Sequence, residues 1–424
     1  MPRLTFDYGH SGLEADLPAQ TQVLSMEHTP GLTEIEARLE QALLQPIGGR
    51  PLADLASGRR DACVVIADIT RPVPNALILP PILATLESAG ILRDRITILI
   101  GTGLHRPNEG DELIQLVGPD IAANYRVLNH EARDRDSLVH MGTTSGGAPI
   151  WIDRVYVEAD LKIATSLIEP HLMAGFSGGR KAICPGLMGV DTMRVLHGPQ
   201  LLSHPLASEG NIEGNPFHRQ ALEVAQTVGV DFTLNVAMND DRQVTGIFSG
   251  DLEQAHASGC LFVEESAGAW VDRPAPIVVT SSAGFPLDLT FYQAVKGLTA
   301  VLPIVEEGGT ILLTARCSEG LGGPEFTGLL EETTGIDDFE ARLQDPDFFR
   351  IDQWQLQELC KVLRKASVCL VSEGVMPDDV RATRFVDVVP TLQEGLEIAQ
   401  ARHGKDAAIA AVPRGPYVLT RCRA

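Results

Sequence analysis

The sequence predicts an α/β protein of two lobes, each built on a largely parallel sheet. Three observations predict it. The chain has 424 residues, more than one hydrophobic core usually serves. Short β-branched apolar runs alternate with stretches of helical periodicity, the pattern of strand–helix–strand units. The alternation pauses once, at "ESAGAWVDRPAP", and then resumes, so Pro274 and Pro276 mark the best boundary. A first lobe over 1–272 and a second over 273–399 are expected, with a tail from about 400 to 424 that can pack back on the first.

The elements follow in order. "TEIEARLEQALLQ" and "PPILATLESAG" repeat apolar residues at helical spacing and read as scaffold helices. "ACVVIAD", "ITILIGTG" and "LKIATSLIE" read as strands ending at Asp68, Gly103 and Glu169. Each runs at once into polar, Gly/Pro-rich residues: "ITRPVP", "LHRPNEG" and "EPHLMAGFSGGRKAICPG". In open α/β sheets ligands collect at the carboxyl ends of strands, so these three loops are expected to converge on one site. In the second lobe "APIVVTSSAGFP", "GGTILLTARCSEG" and "ASVCLVSEG" repeat the strand-then-loop pattern. The tail "DAAIAAVPRGPYVLT" reads as a last strand of undetermined lobe.

Composition narrows the function. Asp and Glu outnumber Lys and Arg by 56 to 34, a formal charge of −22, which excludes nucleic acid and anionic membrane as partners because both need a basic surface. A small anionic ligand would have to be caught by local cations such as Arg71, Arg180, Lys181 and Lys296. The seven cysteines form no C-x-x-C pair, so neither a disulfide framework nor a structural zinc site is indicated. With no apolar leader and no long apolar run, a cytoplasmic protein is expected.

The chemistry-bearing residues sit in the loops. In "GFSGGRK", Gly175, Gly178 and Gly179 suit either close backbone approach to a phosphate, with the Ser177 hydroxyl as donor and Arg180 or Lys181 as counter-charge, or a tight structural turn. The stretch is neither a Walker A loop nor G-x-G-x-x-G. His105, His171 and His197 lie at strand ends or beside Gly and Pro, where an imidazole serves as acid, base or metal ligand; His10, His28, His140, His256 and His403 read as surface or structural. No H-x-x-x-H or H-E-x-x-H pair offers a ready-made metal site. In "FYQAVKG", Gln293 and Lys296 fall on one helix face, an amide beside an ammonium, and suit a carboxylate. Trp354 in "DQWQ" reads as core or as a stacking plate.

Taken in order, "ADITRPVP", "GTGLHRP", "EPHLMAGFSGGRKAICPG", "VLHGP", "FYQAVKG" and "DQWQ" resemble the nickel-dependent lactate racemase family over most of the chain. The resemblance implies a racemase or epimerase of a 2-hydroxy acid. Its cofactor would be a nickel-pincer nucleotide (nickel pyridinium-3,5-bisthiocarboxylic acid mononucleotide), held with substrate in the cleft between the lobes, and reaction would run by reversible proton-coupled hydride transfer through a 2-keto acid. It implies that Asp68, Ile69, Thr70 and Arg71 form a loop touching cofactor and substrate, with Arg71 near the substrate carboxylate. His105 and His171 would be paired acid/base residues, Lys181 the anchor of the cofactor through a thiocarboxyl arm, and His197 the protein ligand to nickel. Gln293 and Lys296 would bind substrate, with Tyr292 and Trp354 nearby. Cofactor-synthesis and nickel-insertion proteins are the implied partners. The alternatives are a nicotinamide-type dehydrogenase, or a carboxylate-binding protein that would need no second histidine.

Overall fold

In the computed structural model, which describes residues 3–345 and 347–423, the apolar runs become strands buried on both faces. One compact unit spans His28–Glu265. Its six-stranded sheet is ordered Val244–Gly250, Phe232–Met238, Leu161–Leu167, Ala62–Ala67, Ile96–Gly101 and Arg126–Asn129. All neighbours pair parallel except the first two. Val64 stands opposite both Ile98 and Ile163, and all three are fully buried. Each such side chain contributes about 1.5–3 kcal/mol of burial, which is why these runs lack the alternation of a half-exposed strand. Three parallel strands therefore end side by side, at Ala67, Gly101 and Leu167, and the three expected loops leave from the same edge of one sheet.

The other unit joins the residues up to Glu27 to those from Ser266 onward. Its all-parallel sheet is ordered Asp387–Val389, Ala366–Val371, Val305–Thr314, Ala275–Ser281, Ile409–Val412 and Gln22–Val23.

This division differs from the expected one at both chain ends. Gln22 and Val23 pair with Ala410 and Ala411, and Leu24 N–H donates to Ala411 O at 2.8 Å, so the opening residues belong with the second sheet. The tail divides: Ile409–Val412 lies beside Ala275–Ser281, while Leu419–Cys422 pairs with Gly268–Val271, residues on the first-lobe side of the expected boundary. The physical reason is edge completion. The apolar tail strand, buried along its length, is itself flanked by the two-residue strand, and neither match shows in a one-dimensional pattern.

The helix expected from Pro80 begins earlier, at Asn75, and runs to Ser88 with Pro80 and Pro81 inside it. Among the described residues no helix is long and apolar enough to cross a membrane. All seven cysteines are free thiols.

Candidate active site

The loop after Ala62–Ala67 is organised by a buried carboxylate. Asp68 accepts a hydrogen bond from Thr70 Oγ1 at 2.6 Å and another from His105 Nδ1 at 2.6 Å. Burial alone would raise its pKa, but the charge and hydrogen bond of His105, the Thr70 hydroxyl and Arg71 outweigh it and hold the carboxyl below its ordinary range. A carboxylate only accepts, so the Nδ1 of His105 carries a proton, and in the neutral ring Nε2 presents a lone pair. Ile69 N–H donates to Asn108 Oδ1 at 3.2 Å, which ties this loop to the one carrying His105.

Arg71 is engaged differently from the expectation. Its guanidinium donates to the carboxylate of Glu169, a buried residue at the end of the third strand that the sequence reading passed over. The other oxygen of Glu169, Oε2, is buried without a hydrogen bond. Arg71 is thus half of an internal ion pair, and an incoming carboxylate would share it with Glu169.

His171 lies in a two-residue strand, Pro170–His171, which turns back to pair with Gly175–Phe176. Inside the turn, the backbone N–H groups of Met173 and Ala174 both point at His171 Nδ1, at 3.3 Å each. The two amides favour a neutral ring protonated on Nε2. That atom lies 3.1 Å from Nζ of Lys181, whose ammonium form only donates and favours the other tautomer. His105 and His171 thus differ in what faces Nδ1, a carboxylate acceptor in one and two amide donors in the other.

The glycine loop is built as the tight structural turn rather than as a cradle of free amides. Ser177 N–H donates to Glu169 O at 2.9 Å, Lys181 N–H to Gly178 O at 3.0 Å, and Gly179 N–H to Asn235 Oδ1 at 2.8 Å. The Ser177 hydroxyl donates to Leu167 O at 2.7 Å and accepts from Glu169 N–H at 3.0 Å. These groups are spent on the fold, which corrects the expectation that Ser177 and the loop amides face a phosphate. The glycines serve close packing instead. A side chain on Gly175, whose φ is +77°, would place its Cβ 2.2 Å from Asn211 O, and one on Gly179 would meet the His256 ring at 2.7 Å. Arg180 is equally inward, fully buried with its guanidinium on backbone carbonyls, so it is no exposed counter-charge.

His197 caps the C-terminal end of the helix Val190–Leu196 and is buried against the edge of Phe217, with ring centroids 5.0 Å apart. Burial, and then the charge of Lys181, push its pKa down to about 3, so the ring is a neutral imidazole, the form that ligates a transition metal. Nζ of Lys181 lies 5.9 Å from the centre of the same Phe217 ring. Phe217 is placed by Asn215, another residue not foreseen. Its Oδ1 caps the helix Pro216–Val228 by accepting from Phe217 N–H and His218 N–H, while its Nδ2 donates to Met173 O and Asn211 O. One side chain fastens the helix start to the turn that holds His171. The signal available in the sequence was "NPFH", an N-cap followed by proline at the first helical position.

In the other unit, Thr290 caps the helix Phe291–Thr299 by accepting from Gln293 N–H at 3.3 Å. Gln293 and Lys296 then fall one turn apart, and Lys296 donates to the Gln293 amide oxygen. Trp354, buried in the helix Gln353–Lys365, donates from Nε1 to the Tyr292 hydroxyl at 3.0 Å, and Gln355 donates to Tyr292 O at 2.7 Å. The expected groups thus come together as pairs: Asp68 with His105, His171 with Lys181, Gln293 with Lys296, and Tyr292 with Trp354. Among the described residues one group of three metal-ligating side chains converges, His28 with Asp240 and Asp241, and it contains no expected site residue. A cavity of about 450 Å³ lined by Arg384, Asp387 and Arg402 also contains none.

Residues 8–210 match the family described as lactate racemase N-terminal domain, and residues 271–420 the one described as lactate racemase C-terminal domain. A lactate racemase of Thermoanaerobacterium thermosaccharolyticum is 34% identical over 99% of this chain and 100% of its own length. One of Lactiplantibacillus plantarum is 36% identical over 90% of each chain. The solved lactate racemase apoprotein of T. thermosaccharolyticum superposes with a TM-score of 0.92 at 33% identity, covering 99% of this chain and 100% of that one. A Thermotoga maritima protein, 18% identical, shares the fold with a TM-score of 0.74 over 94% of this chain and 100% of its own.

Proposed function

The chain belongs to the lactate racemase family and is an isomerase, and on that premise we propose that it interconverts the enantiomers of lactate, or of a related 2-hydroxy acid, with His105 and His171 as a complementary acid/base pair. The observation that carries this reading is that two histidines are held by different partners: Asp68 accepts from Nδ1 of His105, while Nδ1 of His171 faces two amide donors and its Nε2 lies 3.1 Å from Lys181 Nζ. His105 Nε2 is ready to accept the hydroxyl proton of one enantiomer. His171, in its imidazolium form, would return a proton to the carbonyl oxygen of the keto acid and be left neutral. After one turnover the two rings have exchanged roles, and the opposite enantiomer reacts in the reverse direction.

Removing the Cα hydrogen as a proton would place negative charge next to a carboxylate. A nickel-pincer nucleotide, when bound, supplies an acceptor that takes this hydrogen as hydride and gives it back. The residues present fit such a group: neutral, buried His197 would ligate nickel, and Lys181, beside His171 and near Phe217, would anchor the pincer through its thiocarboxyl arm. Asp68 to Arg71 would line the cofactor and substrate, and Gln293 and Lys296 would bind the substrate carboxylate. Trp354, whose Nε1 donates to the Tyr292 hydroxyl, would hold Tyr292 and offer its ring face to the cofactor. Loading would depend on separate proteins that make the cofactor and insert nickel.

The test uses lactate deuterated at Cα and enzyme from a host that makes the cofactor. Racemised product is expected to keep its deuterium, with a primary isotope effect, and His105→Ala and His171→Ala are each expected to lose about 10²–10⁴-fold in rate. Complete solvent exchange at Cα, or normal racemisation by either variant, would overturn the proposal.

A further inference from the structure

His130 lies outside the expected set of site residues, and both nitrogens of its ring meet acceptors. It directly follows the strand Arg126–Asn129, and its side chain is fully buried. Nδ1 lies 2.8 Å from Asp153 Oδ2, and Nε2 lies 3.1 Å from Met188 O. A carbonyl oxygen only accepts, so the ring donates from Nε2 to Met188. The Asp153 carboxylate, whose Oδ1 accepts from Val155 N–H at 2.9 Å, takes the hydrogen bond at Nδ1. A buried polar pair of this kind adds little net stability over apolar packing, which directs attention to what the ring holds.

It holds two loops of the site together. Met188 immediately precedes the start of the helix Val190–Leu196, whose C-terminal end His197 caps. The residues after His130 hold the same helix start, since Val190 N–H donates to Ala132 O at 3.2 Å. On its other side His130 is fastened to the loop that carries His105. Its N–H donates to Ile100 O at 3.0 Å, and its carbonyl accepts from Thr102 Oγ1 at 2.9 Å. His105 N–H in turn donates to Thr102 O at 3.0 Å. We propose that His130 is a positioning residue: by holding the Met188 carbonyl, its Nε2–H sets the start of the helix Val190–Leu196, and so the place of the His197 ring relative to His105. His130 touches neither substrate nor cofactor in this role; it acts through the backbone. The inference deepens the proposed function and rests on its assignments of His105 and His197.

The test separates the two hydrogen bonds. The amide nitrogen of glutamine reaches the place of Nε2 and that of asparagine the place of Nδ1, so His130→Gln keeps the bond to Met188 and His130→Asn the bond to Asp153. His130→Gln leaves a buried carboxylate without its ring donor and is expected to melt lower than His130→Asn, which leaves only a carbonyl unpaired. The less stable variant is nevertheless expected to keep the site, an order that a purely structural role would reverse. In full-length apoprotein, amide hydrogen exchange over Val190–Leu196 should speed up about tenfold or more in His130→Asn and stay near wild type in His130→Gln. In loaded enzyme, His130→Asn should lose nickel on dialysis and lower kcat about tenfold to a hundredfold with little change in KM, while His130→Gln stays close to wild type in both. Exchange, nickel retention and kcat that follow the melting temperatures instead would overturn the inference. If either variant does not fold, wild-type apoprotein labelled with ¹⁵N-histidine decides, with the His130 ring assigned through its own backbone amide: a protonated Nε2 is expected, and an unprotonated one would overturn the inference. The expected exchange pattern in a chain whose wild type fails to racemise lactate would sink the functional reading and leave the hold on the helix standing. Normal racemisation by both variants would do the reverse.

Discussion

Asp68 in one unit and Glu358 in the other are both buried carboxyls with a basic neighbour, and their acidities move in opposite directions. Asp68 is surrounded by donors: His105, the Thr70 hydroxyl and the charge of Arg71 together overcome the cost of burial. Glu358 accepts from Lys361 at 2.7 Å, yet burial dominates and pushes its pKa up to about 7. Depth does not separate them, since both are almost inaccessible. The difference is the number of groups aimed at the charge, which marks one carboxylate as built to stay ionised and the other as tolerated in a helix that supports Tyr292.

The largest test of this contrast is Asp68→Asn. An asparagine can still accept from Nδ1, but it brings no charge and can equally turn its amide N–H towards the ring, which would put the imidazole proton on the wrong nitrogen. Racemisation should fall about 10²–10⁴-fold, with the fold intact by circular dichroism. The acid side of the stability curve should also change. The folded pKa of Asp68 lies below its unfolded value, so its stabilising contribution is present above the unfolded value and is lost as pH falls through the folded one. The variant should therefore lose stability at neutral pH and converge on wild type in acid. Unchanged kinetics would show that Asp68 is merely a buried loop anchor.

The residues of this contrast also show what a linear sequence reveals. Asp68, His105 and His171 were legible because buried parallel strands leave unbroken apolar runs, and the residues just after each run must lie at one edge of the sheet. Their partners were not. Glu169 answers Arg71 from 98 positions away, and Asn235 receives the Gly179 amide from 56 positions away; neither has any local pattern. The glycine loop shows a second limit. Its composition fits a phosphate nest and a close-packed turn equally well, and only the engaged amides of Ser177, Gly179 and Lys181 decide. Gln22–Val23 shows a third, because two residues are too few to carry a periodicity.

A smaller effect is expected from Lys296→Ala in the other unit. Lys296 and Gln293 form a cation–amide pair, whereas Arg71 is bound to Glu169, so the two cations should respond differently. A charge-assisted hydrogen bond to a carboxylate contributes about 1.5–3 kcal/mol, and kcat/KM for lactate should fall about tenfold to a hundredfold in Lys296→Ala with the melting temperature little changed. Arg71→Ala should combine a kinetic loss with a loss of stability, because it leaves the Glu169 carboxylate buried without its cation. Kinetics unchanged in Lys296→Ala would remove that residue from the substrate's carboxylate.

The smallest effect, and the one that isolates the physics of the comparison, is Glu358→Gln. The folded pKa of Glu358 is raised to about 7 from 4.5, so between these values the folded chain binds more protons at this site than the unfolded chain does. Stability from this group is then highest below the unfolded value, falls as pH rises through the window, and stays reduced above it. Glutamine resembles the protonated form and never ionises, so it removes the pH-dependent penalty while keeping an acceptor for Lys361. At about 1.4 kcal/mol per unit of pKa, the gain above pH 7 is about 3 kcal/mol at most, and it should vanish near pH 4. Thermal unfolding of both proteins at pH 4.5, 6 and 8 measures this directly: the melting temperature of Glu358→Gln should exceed wild type by a margin that grows with pH. A margin independent of pH, or one that shrinks as pH rises, would mean that the ion pair with Lys361 outweighs burial and that Glu358, like Asp68, is held ionised.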